Sequence, residues 1–153
     1  MRLDRTWIEA HLPHQGNMCL LDEVLSWDSD RISCRSTTHR DADNPLRARG
    51  RLGIACGVEY AAQAMGVHGA LVAAQFPAPA SGVPAAGYLA SVSGVRPYVL
   101  RLDDVRGDLI CNAVRVAGDG GTALYEFELR SGVMRLLIGR ASVILDANGR
   151  LPP

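Results

Sequence analysis

The sequence predicts an α+β domain in which an antiparallel sheet curls around one long helix. Three observations carry this. The longest apolar segment, Leu52 to Phe76, is alanine-rich, and a breaker-rich stretch, Pro77 to Gly82, closes it. Its large side chains (Ile54, Val58, Tyr60, Met65, Val67, Leu71, Val72 and Phe76) point to all sides. A helix that is apolar all round is normally covered by other elements. Everything after it reads as strands separated by Gly/Asp turns, which favours antiparallel neighbours, and wrapping the sheet round the helix is the economical way to cover it.

In chain order, Thr6 to His11 is a short helical turn, and Leu12 to Asn17 is a loop punctuated by Pro, Gly and Asn. Met18 to Trp27 and Arg31 to His39 carry strand patterns, the second alternating as a half-buried strand does. Asp41 to Arg51 is a charged, proline-broken loop. Past the helix, Tyr88 to Ser93, Tyr98 to Leu102, Leu109 to Val116, Thr122 to Arg130 and Val133 to Leu145 are β-type runs. The 153 residues suit a single domain over 1–153, without repeats or linker.

Composition removes several kinds of function. All 16 basic residues are arginine, so amine chemistry such as a Schiff base has no lysine to use. A net charge of +0 gives no large field for nucleic acid. Cys19, Cys34, Cys56 and Cys111 lie far apart, as small buried hydrophobes of a reducing compartment do. His11 and His14 form an H-x-x-H without a completing acidic or thiol cluster, so no metal site is expected. The first ten residues carry Asp4 and Glu9 and lack a secretory apolar core, which gives a cytoplasmic expectation. A membrane span at 52–76 is disfavoured by Glu59, Gln63 and His68 together with Gly57, Gly66 and Gly69.

Glu59 is the residue that the helix must account for. A buried carboxylate is costly unless it is paired or protonated. It either pairs with an arginine at the sheet edge or serves as a proton donor or acceptor in an apolar cleft. Gln63, at i+4, shares its face. His68 is nine residues on, half a turn out of phase, and reads as a core or interface histidine. His14 and His39, in loops beside strands, are the better proton-transfer candidates. No serine-nucleophile motif or dinucleotide fingerprint is present.

Three pieces in this order resemble the hot-dog-fold 3-hydroxyacyl-(acyl carrier protein) dehydratases. They are Leu12-Pro13-His14 followed by Met18 to Val24, the helix motif Val58 to Gly66, and Gly87-Tyr88-Leu89-Ala90. Asn44 to Arg47 and Ala62 to Gly69 make the chain most similar to the dehydratase-like proteins of aryl polyene gene clusters. The resemblance implies a hot-dog fold, a homodimer or larger assembly, and an acyl chain held as a thioester on the phosphopantetheine arm of an acyl carrier protein. It implies loss of water to a trans-2-enoyl thioester with no cofactor. The family's usual histidine lies in a His-Phe-Pro loop fourteen residues before the helix glutamate, where this chain has Pro45 beside Asn44. The resemblance therefore implies Glu59 as acid with His14 as base, His39 being the alternative. Backbone N–H groups near Ile54 and Ala55 are expected to meet the substrate's enolate oxygen, with Gln63 as a further substrate contact.

A hot-dog thioesterase and a non-catalytic acyl-binding or dehydratase-partner subunit are the other readings. Arg47, Arg49 and Arg51 form the cluster on which an acidic carrier would dock, the alternative being a solvated loop.

Overall fold

The computed structural model describes residues 2–75, 86–118 and 121–146. A short helix α1 (Arg5–His11), capped by the Asp4 carboxylate on the Trp7 N–H, precedes a hairpin of β1 (Glu23–Trp27) and β2 (Arg31–Ser36). The long helix α2 (Gly57–Gln75) follows, and then come β3 (Ala86–Pro97), β4 (Leu109–Gly118), β5 (Thr122–Ser131) and β6 (Met134–Asp146). The six strands form one sheet in the order β1-β2-β4-β5-β6-β3, with every neighbour antiparallel. The expected α+β architecture is present. The breaker stretch 77–82 lies outside the described residues.

The period of two explains which side of the sheet meets the helix. Along β5, Ala123, Tyr125, Phe127 and Leu129 are buried while Thr122, Leu124 and Glu126 are exposed. Ile32, Cys34, Leu109, Cys111 and Ala113 continue the inner surface on β2 and β4. Against it α2 sets Tyr60, Ala61, Ala64, Met65, Val67, His68 and Leu71. Helix and sheet are tightly packed at Gly57, where an added Cβ would lie 2.8 Å from a Leu137 methyl and 3.0 Å from a Leu129 methyl.

The helix is not covered on all sides. Glu59, Ala62, Gly66, Gly69 and Ala70 are only half-buried, and Ala73 and Ala74 are exposed. A sheet of one chain reaches only part of the circumference, so small side chains line the open side. The apolar segment also does not start as an α-helix: Ile54–Cys56 forms a 3₁₀ turn before Gly57.

Three strand expectations are corrected. From Met18 to Asp22 there is no ladder, because Gly16–Met18 is a 3₁₀ turn and the Cys19–Leu21 segment is buried beneath the helix. The strand expected through His39 ends at Ser36, and His39 falls in the 3₁₀ turn Thr38–Arg40. Tyr98 to Leu102 is not a strand. Instead β3 runs on to Pro97 through two irregularities, the second containing Gly94 at φ +59°, which only glycine adopts freely. The chain then crosses to residues 52–54: Leu102 N–H donates to Leu52 O, Ile54 N–H donates to Leu100 O, and Gly53 bridges Arg101.

The close approach at Gly57 makes a direct prediction. Gly57→Ala should lower folding stability by about 1–3 kcal/mol, read from urea denaturation, because both leucine methyls must move in a packed core. An unchanged midpoint would show that the helix start has room to shift.

Candidate active site

The site forms where the loop after α1 meets the first turns of α2. His14 Nε2 lies 3.0 Å from Glu59 Oε1, and both side chains are about one-third exposed, at 30% and 36%. Glu59 is thus neither deeply buried nor paired with an arginine; its partner among the described residues is an imidazole, joined by Gln63. His14 Nδ1 is shielded from solvent and makes no hydrogen bond among the described residues.

Gln63 connects this pair to the framework. Its Nε2 donates to Glu59 Oε1 at 3.3 Å and to Met18 O at 2.9 Å, while its Oε1 accepts from Leu20 N–H at 2.9 Å. The side chain is almost fully buried and has its amide satisfied. It therefore positions Glu59 and the Met18–Leu20 segment at once. Arg5 holds the same segment from the other end, through Cys19 O and a 3.0 Å contact with Asp22 Oδ1. Asp22 in turn accepts from Thr37 N–H and Oγ1 at 2.7 and 2.9 Å.

The remaining expected site residues fall as follows. His39 is fully buried, its Nε2–H donating to Val105 O at 3.0 Å, and it contacts neither Glu59 nor His14. The alternation of Arg31 to His39 gave no sign that the strand stops at Ser36 and turns the ring inward. Ile54 donates its N–H to Leu100 O, so it cannot also meet a ligand. Ala55, exposed at the helix start, is the remaining backbone donor of that pair.

Beside Pro45, which stands where the resemblance would put a histidine, Asn44 points inward. Its Nδ2 donates to Thr38 O at 2.9 Å and to the Tyr60 hydroxyl at 3.0 Å. Tyr60 also contacts Thr38 Oγ1 at 2.8 Å, and burial pushes its phenol up to about 12. This buried cluster was not anticipated, since Thr38, Asn44 and Tyr60 share no spacing that marks them as neighbours.

His68 does serve the core. Its Nε2–H donates to Asp28 O at 2.8 Å, and its Nδ1 accepts from the Tyr125 hydroxyl at 2.7 Å. Burial holds both His39 and His68 below the ordinary imidazole range, with the carbonyl contacts at Val105 and Asp28 pulling the other way.

The model of the ApeP-like family, described as ApeP dehydratase, matches residues 6–148. The chain belongs to the ApeP-like dehydratase family. Among curated proteins no sequence matches. One similar solved structure is the dehydratase heterocomplex ApeI:P from Xenorhabdus doucetiae, at TM-score 0.77 and 23% identity, covering 92% of this chain and 91% of that one. A thioesterase from Haemophilus influenzae follows at TM-score 0.59 and 11% identity, covering 84% and 82%. A hypothetical thioesterase from Streptococcus pneumoniae, solved with coenzyme A, gives TM-score 0.58 and 10% identity over 81% and 84%. At such identities these likenesses establish the fold, which is the hot-dog fold. No helix among the described residues of this ApeP-like chain is long and apolar enough to cross a membrane.

The two buried histidines predict an acid-labile fold. The unfolded chain takes up protons below about pH 6.5, whereas the folded chain resists until lower pH, so stability is complete above that range and falls through it on acidification. Urea midpoints should therefore drop between about pH 7.5 and 5.5; an equal or higher midpoint at the lower pH would contradict the burial argument.

Proposed function

We propose that this chain removes water from a 3-hydroxyacyl group held as a thioester on an acyl carrier protein, giving the trans-2-enoyl thioester. The observation that carries the reading is the 3.0 Å contact between His14 and Glu59 at the open start of the central helix of a dehydratase-family chain.

The chemistry follows from which atoms are engaged. If His14 Nε2–H donates to Glu59, the lone pair of the neutral ring lies on Nδ1, which has no competing partner among the described residues. Glu59 Oε1 accepts from both His14 and Gln63, so a protonated carboxyl carries its hydrogen on Oε2. A tilt of the His14 ring brings Nδ1, shielded in the resting geometry, to the substrate, where it takes the α-proton as the α–β double bond forms. The β-carbon–oxygen bond breaks, and the Oε2 proton joins the departing hydroxyl as water. Negative charge that develops on the thioester oxygen is met by the Ala55 N–H and the positive end of the α2 dipole. A proton passed across the His14–Glu59 contact restores the neutral pair. None of these steps calls for a cofactor.

The open side of α2 and the outer edge of β3 leave room for a second chain. A homodimer, a larger homo-oligomer or a mixed complex with another dehydratase would cover them. The similar Xenorhabdus structure is itself a dehydratase heterocomplex, which supports the mixed assembly. The thioesterases among the fold's relatives support a second reading, in which Glu59 activates water and releases a free acid.

Mass spectrometry of a 3-hydroxyacyl carrier substrate separates these outcomes. Wild type should yield the enoyl carrier, while Glu59→Gln and His14→Gln should each lose about 100-fold or more in rate. The glutamine at 14 retains a side-chain N–H for Glu59 but has no basic nitrogen. Free acid would mean a thioesterase. Full turnover by His14→Gln would remove His14 as the base, and turnover that survives Glu59→Gln in a mixed complex would make the chain a non-catalytic partner.

A further inference from the structure

His14 is not held in place by its own hydrogen bond. The contact with Glu59 joins two side chains that are each about one-third exposed, and such contacts contribute little by themselves. The segment that carries the ring must therefore be fixed elsewhere. On one side it is tied to α1. Leu12 N–H donates to Ile8 O at 3.0 Å, and Pro13 confines Leu12 to the extended backbone it adopts. Gln15 Nε2 donates back to Glu9 O at 2.7 Å, and the fully buried Ile8 seats α1 in the core. Helix α1 and residues 12–15 thus form one stiff piece with His14 at its tip.

On the other side this piece rests on Gly66. A Cβ added there would lie 3.0 Å from Leu12 Cδ2, well inside the roughly 3.5–4.0 Å at which carbon atoms sit in contact. Gly66 follows Glu59 by seven residues, about 20° short of two full turns, so the two lie on one line of α2 about 10 Å apart. Leu12 meets that line at one end and His14 meets it at the other, so residues 12–14 lie lengthwise along the helix. Glycine inside a helix is less favourable than alanine. At position 66 the missing side chain is a seat for Leu12, whereas at Gly69, one turn on, an added Cβ would meet nothing within 4 Å.

We propose that the Gly66 notch is a positioning element for the site: Leu12 seated in it sets the distance between His14 and Glu59. The role of His14 as base rests on the lyase reading above, while the seat is a matter of packing alone. A methyl group at position 66 drives Leu12 outward by about 0.5 Å or more. Because α1 and residues 12–15 move together, His14 is carried away from Glu59, and displacements of this size in a reacting group are costly.

The test compares wild type, Gly66→Ala, the double variant Gly66→Ala/Leu12→Val, and Gly69→Ala. Leu12→Val withdraws a methyl carbon from the notch as Gly66→Ala adds one, so the pair conserves volume. With the 3-hydroxyacyl carrier substrate, kcat should fall about tenfold in Gly66→Ala with KM little changed, and return to within about threefold of wild type in the double variant. Gly69→Ala should keep the wild-type kcat. The urea midpoint of Gly66→Ala should not fall, since alanine is the better helix former. Crystal structures read the same geometry without turnover: the His14–Glu59 contact should open past about 3.5 Å in Gly66→Ala and close again in the double variant.

An unchanged kcat in Gly66→Ala, a loss confined to KM, an equal loss in Gly69→Ala, or a loss that Leu12→Val does not relieve would each overturn the proposal. So would a midpoint that falls with kcat, or a His14 that stays in contact with Glu59 in Gly66→Ala. A wild type that forms no enoyl product, with the contact still opening and closing across the variants, leaves the seat standing and removes the lyase reading. Enoyl formation indifferent to Gly66→Ala does the reverse.

Discussion

The structure depends on one buried amide. A sheet wrapped round a helix must still carry the chain from α1 to β1 across the helix face, and that crossing is made by the Cys19–Leu21 segment, which is fully buried and outside the ladder. Buried backbone groups need partners, because an unmet N–H or carbonyl forfeits its hydrogen bond to water without replacement. Gln63 supplies them, accepting from Leu20 N–H and donating to Met18 O, and its second amide hydrogen reaches Glu59. The group that lets the chain cross the helix also aligns the carboxyl one turn away.

A second polar set completes the same crossing. Ser36 and Thr38 both donate hydroxyls to Leu20 O, and Thr38 passes the network on to Tyr60 and Asn44. The helix start, the end of β2 and the loop after it are thereby tied to one carbonyl. With Asn44 committed to this network, its side chain does not face the cleft, and the imidazole beside Glu59 comes from the other end of the crossing segment, at His14. Site chemistry and the folding of an unladdered segment are thus two results of the same constraint.

Much of the fold was legible in the chain. Alternation marked β2, β-type runs between Gly/Asp turns marked β4, β5 and β6, and the length and apolarity of 52–76 marked α2. The errors share a cause: local pattern reports burial but not which hydrogen bonds a segment makes. Met18 to Asp22 is apolar like a strand, yet Met18 O, Cys19 O and both backbone groups of Leu20 are met by side chains. His39 continues an alternating run, yet sits in a 3₁₀ turn against Val105. Tyr98 to Leu102 looks like a strand, but Gly94 let β3 absorb the irregularity and run on to Pro97. Glu59 stood out on composition alone, and Gln63 by its i+4 spacing. That His14 meets Glu59 came from family resemblance, because a contact across 45 residues has no local signature. The open face of α2 was hidden for a different reason: a helix face lined by alanine and glycine has the composition of a core whether or not it is covered.

Hydrogen–deuterium exchange at the Leu20 amide tests the role of Gln63 most directly. In Gln63→Met, of similar volume but without the amide, Leu20 and the 12–18 loop should exchange much faster than in wild type, while the β4 and β5 amides remain protected and serve as the internal reference. Unchanged protection of Leu20 would show that the crossing holds without Gln63, and the link drawn between the fold and the alignment of Glu59 would fail.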